Sequence, residues 1–213
     1  MRILVDHSGY DLLNVGDAAM LQACLARLAD RWPDAEAQVV CRSSGRLEEL
    51  WPPAIPLGPS IADRAPLAGR SQRTRLGLEQ VFKMAAPLVS PGWNRRRSGR
   101  AGGTILAAVR DADVVVAGGG GYLTDPWWWH GSGVLSVLGL AQRLGRPTAM
   151  FGQGIGPLRH PLVRRQARRV LPRLEVLGLR EPVLGPAVLG SLGTGPIPAT
   201  VTGDDALEDA CGP

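Results

Sequence analysis

Apolar runs of four to eight residues alternate along this chain with stretches whose apolar positions recur every three or four. Arg2 to His7 alternates and ends polar, which predicts a first strand. From Asp17, Ala18, Leu21, Leu25 and Leu28 fall on one helical face, with Asp17 placed as the N-cap. Ala37 to Cys41 is the second strand, so the chain opens as a βαβ unit whose strands are parallel neighbours. Further on, the pattern predicts a helix from Thr104 to Arg110, strand Asp113 to Ala117 and helix Val134 to Leu144. Strand Thr148 to Phe151, helix Pro161 to Leu171, strand Val176 to Leu179, a short helix Pro182 to Leu189 and strand Thr200 to Thr202 complete it. Strands alternating with helices specify an α/β domain, a Rossmann-like open and mostly parallel sheet with helices on both faces.

Residues 52 to 103 break the rhythm. Pro52, Pro53, Pro56, Pro59 and Pro66, then Arg95-Arg96-Arg97 and Arg100, predict a loop-rich insertion carrying one short helix near Leu76 to Met84. The remainder of residues 1 to 207 forms one domain.

Composition narrows the class. At 213 residues, 45% hydrophobic and with no apolar run near the roughly 20 residues of a membrane span, the chain reads as globular, with no transmembrane segment. The amino terminus lacks the apolar core of a secretory signal, which places the protein in the cytoplasm. Cys24, Cys41 and Cys211 are far apart and form no CxxC pair, giving neither a disulfide framework nor a metal site. The net charge is +5, with Lys83 the single lysine. That skew fits a GC-rich genome better than nucleic-acid binding, which needs stacking aromatics among the cations, so no nucleic-acid partner is expected.

The candidate chemistry sits where predicted strands run into helices. Asn14-Val15-Gly16-Asp17, Gly118-Gly119-Gly120-Gly121 and Gly152-Gln153-Gly154-Ile155-Gly156-Pro157 each follow an apolar run and precede a helical pattern. Glycine there lets a ligand approach backbone, and a helix N-terminus offers amides to an anion. The tetraglycine lacks the G-x-G-x-x-G spacing, and no acidic residue closes a strand about 20 residues later, which disfavours NAD. It is either a ligand-facing loop or a structural turn. Trp127-Trp128-Trp129 cannot all enter one core; they stack on a sugar or pack against a partner. His130 beside them is a candidate acid or base. Arg164, Arg165, Arg168 and Arg169 fall outside the apolar face of their helix and read as solvated, whereas Arg159 and His160 stand closer to the glycine loop.

These motifs, with Arg180-Glu181 after one strand and Asp204-Asp205-Ala206-Leu207 after the last, resemble the polysaccharide pyruvyltransferase family over residues 1 to about 207. The resemblance implies two Rossmann-like domains arranged as in GT-B glycosyltransferases. It also implies transfer of enolpyruvate from phosphoenolpyruvate to a sugar of a cell-surface glycan, giving a ketal, with no other cofactor and no metal. Asp17 and Arg180 match the family's acidic and strand-end arginine positions, Asp17 as base or orienting group and Arg180 holding an anion; His130, from its place beside a glycine-rich loop, is the third catalytic candidate. Asn14, Gly16, Gly119, Gly120, Asp125, Gln153, Gly154, Gly156 and Asp204 are the expected substrate-binding residues. The expected acceptor is a glycan or lipid-linked sugar, met at the inner face of the membrane. Family members run longer than this chain, so residues 208 to 213 are expected to open a linker to a second domain, with a separate carboxyl-terminal domain or a second copy completing the site. The chain alone is expected to be inactive. Half of a GT-B glycosyltransferase using a nucleotide sugar, and a non-catalytic sugar-binding or partner-docking remnant, are the alternatives.

Overall fold

In the computed structural model, the described residues are 1–58 and 105–207. They form one eight-stranded sheet in which every pairing is parallel. The elements run β1 (Arg2–Asp6), α1 (Val15–Arg31), β2 (Glu36–Val40), α2 (Ser44–Leu50), β3 (Ile55–Leu57), α3 (Ile105–Asp111), β4 (Val114–Ala117) and β5 (Gly120–Leu123). They continue with α4 (Trp128–Arg143), β6 (Thr148–Ile155), α5 (Pro161–Val170), β7 (Val176–Leu179), α6 (Leu184–Ser191) and β8 (Thr200–Val201).

The strand order is β3-β2-β1-β4-β6-β7-β8, with β5 on β6. The chain winds outward one way from β1 and then, from β4, the other way. This double winding puts α1 and α2 against one face, where Ile3, Val5, Val39 and Val116 meet Leu21, Leu25, Leu28 and Leu47. The helices α3 to α6 cover the opposite face, where Leu4, Val115, Met150 and Leu177 meet Val109, Leu138, Val163 and Val188. Ile3, Leu4 and Val5 are all buried because β1 is covered on both sides, and so reads as an unbroken apolar run. Leu138 is fully enclosed, and its truncation to alanine would cost about 2–5 kcal/mol.

Several expectations from sequence need correction. Asn14, not Asp17, is the N-cap of α1; its side chain accepts from the Asp17 amide at 3.2 Å. The helix α2, capped by Ser43, was not anticipated, and β3 lies inside the segment expected to be loop-rich, where Pro56 is tolerated because β3 is an edge strand. The remaining Pro-rich segment, its helix near residues 76–84 and its arginine run lie outside the described residues, as does the expected linker at 208–213.

Both glycine runs are largely strand. Gly120 and Gly121 open β5, which resumes the edge of β6 after a two-residue break at Gly118 and Gly119. Gly152 to Ile155 continues β6, with its register shifted against β7 between Met150 and Gln153. Glycine at these positions obscured strands that tertiary pairing imposes. Likewise α4 begins at Trp128, six residues before Val134, because Trp128 and Trp129 form its first turn.

Candidate functional site

Strand order reverses between β1 and β4, and in open α/β sheets ligands bind beyond the carboxyl ends of the strands at such a point. A crevice of about 250 Å³ opens there, lined by Ser8, Asn14, Asp17, Gly121, Tyr122, Trp127 and His130. Asn14 and Asp17 come from the start of α1, Gly121 and Tyr122 from β5, and Trp127 and His130 from the turn into α4 and its first residues. Of the three tryptophans, Trp127 is the exposed one, at 51%. Trp128 instead stacks on His160, with ring centroids 4.2 Å apart and planes 5° from parallel.

Asp17 accepts a 2.5 Å hydrogen bond from the Ser8 hydroxyl, short as charge-assisted bonds are. Ser8 was missed from sequence; its signal was only the polar ending of β1, Asp6-His7-Ser8, read as loop. The same stretch supplies a buried polar cluster beneath the crevice. Tyr10 donates to Asp6 Oδ1 at 2.6 Å, and the His7 amide donates to the same oxygen at 2.9 Å. Burial outweighs both bonds and pushes the Asp6 carboxyl up to about 6.

His130 rests on this cluster. Its ring lies between Tyr10 and Tyr122, with centroids 4.9 and 5.0 Å away, and its Nε2 stands 3.2 Å from the His7 carbonyl oxygen. Burial lowers the His130 pKa to about 4, against the smaller opposing effect of that carbonyl. Burial, aided by His130, takes His7 down to about 3. Both imidazoles are therefore neutral near pH 7.

The glycine runs lie side by side under the crevice. Gln153, itself buried, donates from Nε2 to the Gly118 carbonyl at 2.7 Å, clamping the β4–β5 break to β6. Gly154 packs against Gly120 and Gly121, and Gly119 against the Gly152 carbonyl. Gly152 has a φ of +54°, and a Cβ there would overlap the carboxylate of Asp205. Asp205 was passed over for its neighbour. It is 1% exposed, accepts from Arg27 at 2.7 Å, and its Oδ2 is buried without a hydrogen bond.

Other sequence-selected residues stand outside the crevice lining. Gly16 lies in the first turn of α1 beside the Asn14 side chain. Arg180 reaches Met20 on α1, its Nη2 3.2 Å from the sulfur, and pairs with Asp204 at 3.4 Å. Its Nε is buried and lacks an aligned acceptor. Glu181, beside it, accepts from the amides of Val183, Leu184 and Gly185 and so caps α6, which lowers its pKa. Asp125 accepts from the amides of Arg159 and His160, stapling the loop before α5, and Gly156 packs on Thr124. Cys24, expected to be a free thiol, is free and buried, with its pKa pushed up to about 12 by burial. Among the described residues no helix is long and apolar enough to cross a membrane.

This arrangement is a Rossmann-like domain with an acid, a neutral imidazole and an exposed indole around one switch-point crevice. The family model for polysaccharide pyruvyl transferases matches residues 14–212, and the chain belongs to that family. A comparison with curated proteins finds no match. Among solved structures, one assigned as a UDP-N-acetylglucosamine 2-epimerase from Listeria monocytogenes is similar at 12% identity and a TM-score of 0.49. That similarity covers 96% of this chain and 47% of the other, so the chain spans about half the length of that structure.

Proposed function

We propose that this chain carries the acceptor-activating part of a polysaccharide pyruvyl transferase that moves enolpyruvate from phosphoenolpyruvate onto a sugar of a cell-surface glycan. Membership of the family supports a transferase. The observation that carries the finer reading is the placing of Asp17, His130 and exposed Trp127 around one crevice of about 250 Å³. That volume suits one sugar ring better than donor and acceptor together.

In this reading Trp127 stacks on the apolar face of the acceptor sugar. Protonation of the phosphoenolpyruvate methylene makes its C2 electrophilic. One sugar hydroxyl attacks C2 and gives up its proton to Asp17 or to the neutral His130, phosphate departs, and a second hydroxyl closes the cyclic ketal. Developing negative charge on the donor needs cations, and Arg180, just past the end of β7 and now paired with Asp204, is the candidate. A second domain in a GT-B-like pair would hold the rest of the donor.

The test follows carbon-13-labelled phosphoenolpyruvate into a pyranoside acceptor by NMR, alongside phosphate release. It is run on the chain and on its fusion to a carboxyl-terminal half from a family member. Ketal formation by the fusion, with little by the chain alone, is expected. Consumption of a nucleotide sugar with phosphoenolpyruvate untouched would overturn the reading in favour of a glycosyltransferase.

A further inference from the structure

Between Asp125 and Glu175 the chain contains eight arginines and no carboxylate. The fold gathers half of them. Helices α4 and α5 lie side by side on the outer surface of one helical layer, and the groove between them is about 520 Å³, roughly twice the size of the crevice. Arg143 of α4, Arg165 and Arg169 of α5, and Arg173 in the following turn line this groove, and all four are exposed. None of them forms an ion pair among the described residues, where the pairs are Arg2–Glu36, Arg27–Asp205, Arg110–Asp111 and Arg180–Asp204.

Two arginines four apart on one helix face repel each other, and among the described residues no ion pair offsets this for Arg165 and Arg169. Between the arginines the groove is mixed: Leu135, Gly139, Leu162 and Val170 alternate with Ser136, Gln142 and Gln166, and Gln166 is already bonded to Ser136 at 2.9 Å. Among the described residues no aromatic side chain lines the groove to give bases a stacking surface. Four cations over a groove with neutral polar and apolar lining match a surface that presents many phosphates, as an anionic bilayer does. The apolar stripe of α5 itself, Val163, Ala167 and Val170, faces the core, so this helix meets a partner through its charges and does not insert. Arg143 stands 13 residues along α4 from His130, which at 1.5 Å per residue is about 20 Å, so a partner held here leaves the crevice open.

We infer that the α4–α5 face docks the protein on an anionic phospholipid bilayer, with headgroup phosphates held between Arg143, Arg165, Arg169 and Arg173. The attraction is electrostatic, amounts to about a fivefold gain in partitioning per arginine at the surface, and weakens with salt.

Cosedimentation of the 213-residue chain with vesicles tests this directly and independently of any turnover. Binding is expected to vesicles of phosphatidylglycerol mixed with phosphatidylcholine, not to phosphatidylcholine alone, and is expected to be lost in 0.5 M salt, a concentration that leaves a Debye length of about 4 Å. Arg165→Ala with Arg169→Ala should weaken it about 25-fold. Removing the same charge elsewhere, Arg2→Ala with Arg110→Ala, should change it little. Arg143→Ala with Arg173→Ala provides a second pair should the first fail to fold. No binding to anionic vesicles overturns the inference, as does equal loss in the groove and control variants. Capture by a soluble polyanion such as heparin without vesicle binding also overturns it, in favour of a polyanionic partner.

Discussion

The Nε2 atom of His130 and the backbone carbonyl oxygen of His7 stand 3.2 Å apart, joining the first turn of α4 to the end of β1. A carbonyl can only accept, so the proton sits on Nε2 and Nδ1 is left as the basic nitrogen. Tyr10 and Tyr122 on either side prevent the ring from turning. A base fixed in this way and lowered to about 4 should keep kcat/KM flat from pH 6 to pH 8 as far as His130 is concerned. Replacing it as His130→Gln should cost about 10²- to 10⁴-fold in turnover of the fusion protein. A histidine inflection near 6.5 in the pH profile would show instead that the ring is free and solvated.

Capping and chemistry are divided between Asn14 and Asp17, so they can be separated by mutation. Asn14→Ala removes the acceptor for the Asp17 amide and should lower stability by about 0.5–2 kcal/mol. Asp17→Asn keeps an oxygen for the Ser8 hydroxyl and should leave the Tm nearly unchanged while turnover falls. Full turnover in Asp17→Asn would rule out proton transfer through Asp17.

Acid should destabilise the fold by a specific route. Asp6, raised on folding from 3.8 to about 6, contributes stability that is present below 3.8 and lost as pH rises through 6. His7 and His130, lowered on folding from 6.5 to about 3 and about 4, contribute stability that is lost as pH falls below 6.5. Two histidine protons against one from Asp6 leave a net of one between pH 6 and pH 4. Stability should therefore fall with pH across that window, by on the order of 1 kcal/mol per pH unit. Asp6→Asn removes the opposing proton and should roughly double the slope. Urea unfolding at several pH values measures both slopes, and a flat wild-type profile would contradict the assignment.

Gly152 and Asp205 should be energetically coupled. Gly152→Ala places a side chain at a φ of +54°, costing about 1 kcal/mol or more, and forces it onto the Asp205 carboxylate for about 1–3 kcal/mol more. In a double-mutant cycle Asp205→Ala should recover the second cost and not the first. Additive losses would mean that the carboxylate moves aside freely.

The layer order, the parallel sheet and six of the eight strands could be read from apolar runs, because strands such as β1 and β4 are covered on both faces and carry Ile3-Leu4-Val5 and Val114-Val115-Val116. Of the other two, β3 escaped behind its prolines. Strand β5 and the second half of β6 were legible only as glycine runs, because pairing, not side-chain preference, makes them strands. At the site, residues flanking glycine stood out: Asn14, Asp17 and His130 line the crevice. Ser8, Asp6 and Tyr10 did not, because the loop after β1 must fold back before Tyr10 meets Asp6 and Ser8 meets Asp17, and no periodicity marks such a fold. Arg180 and Asp204 were visible as polar strand ends, but their pairing was not. Sequence distinguishes a strand end from a core position, but not which of two neighbouring aspartates turns inward, and here Asp205 does.

The position of β1 in the sheet has a bearing on how the chain is made. One edge of β1 is closed by β2, which follows soon after it. The other is closed by β4, and the amide of Arg2 finds the Asp113 carboxylate across 111 positions of chain. On the ribosome β1 is therefore born as an exposed apolar edge and stays so until β4 emerges, the state in which strands recruit the wrong neighbour. Nascent chains halted before residue 114 should need a chaperone to remain soluble, whereas chains released after β4 and β6 should need it far less.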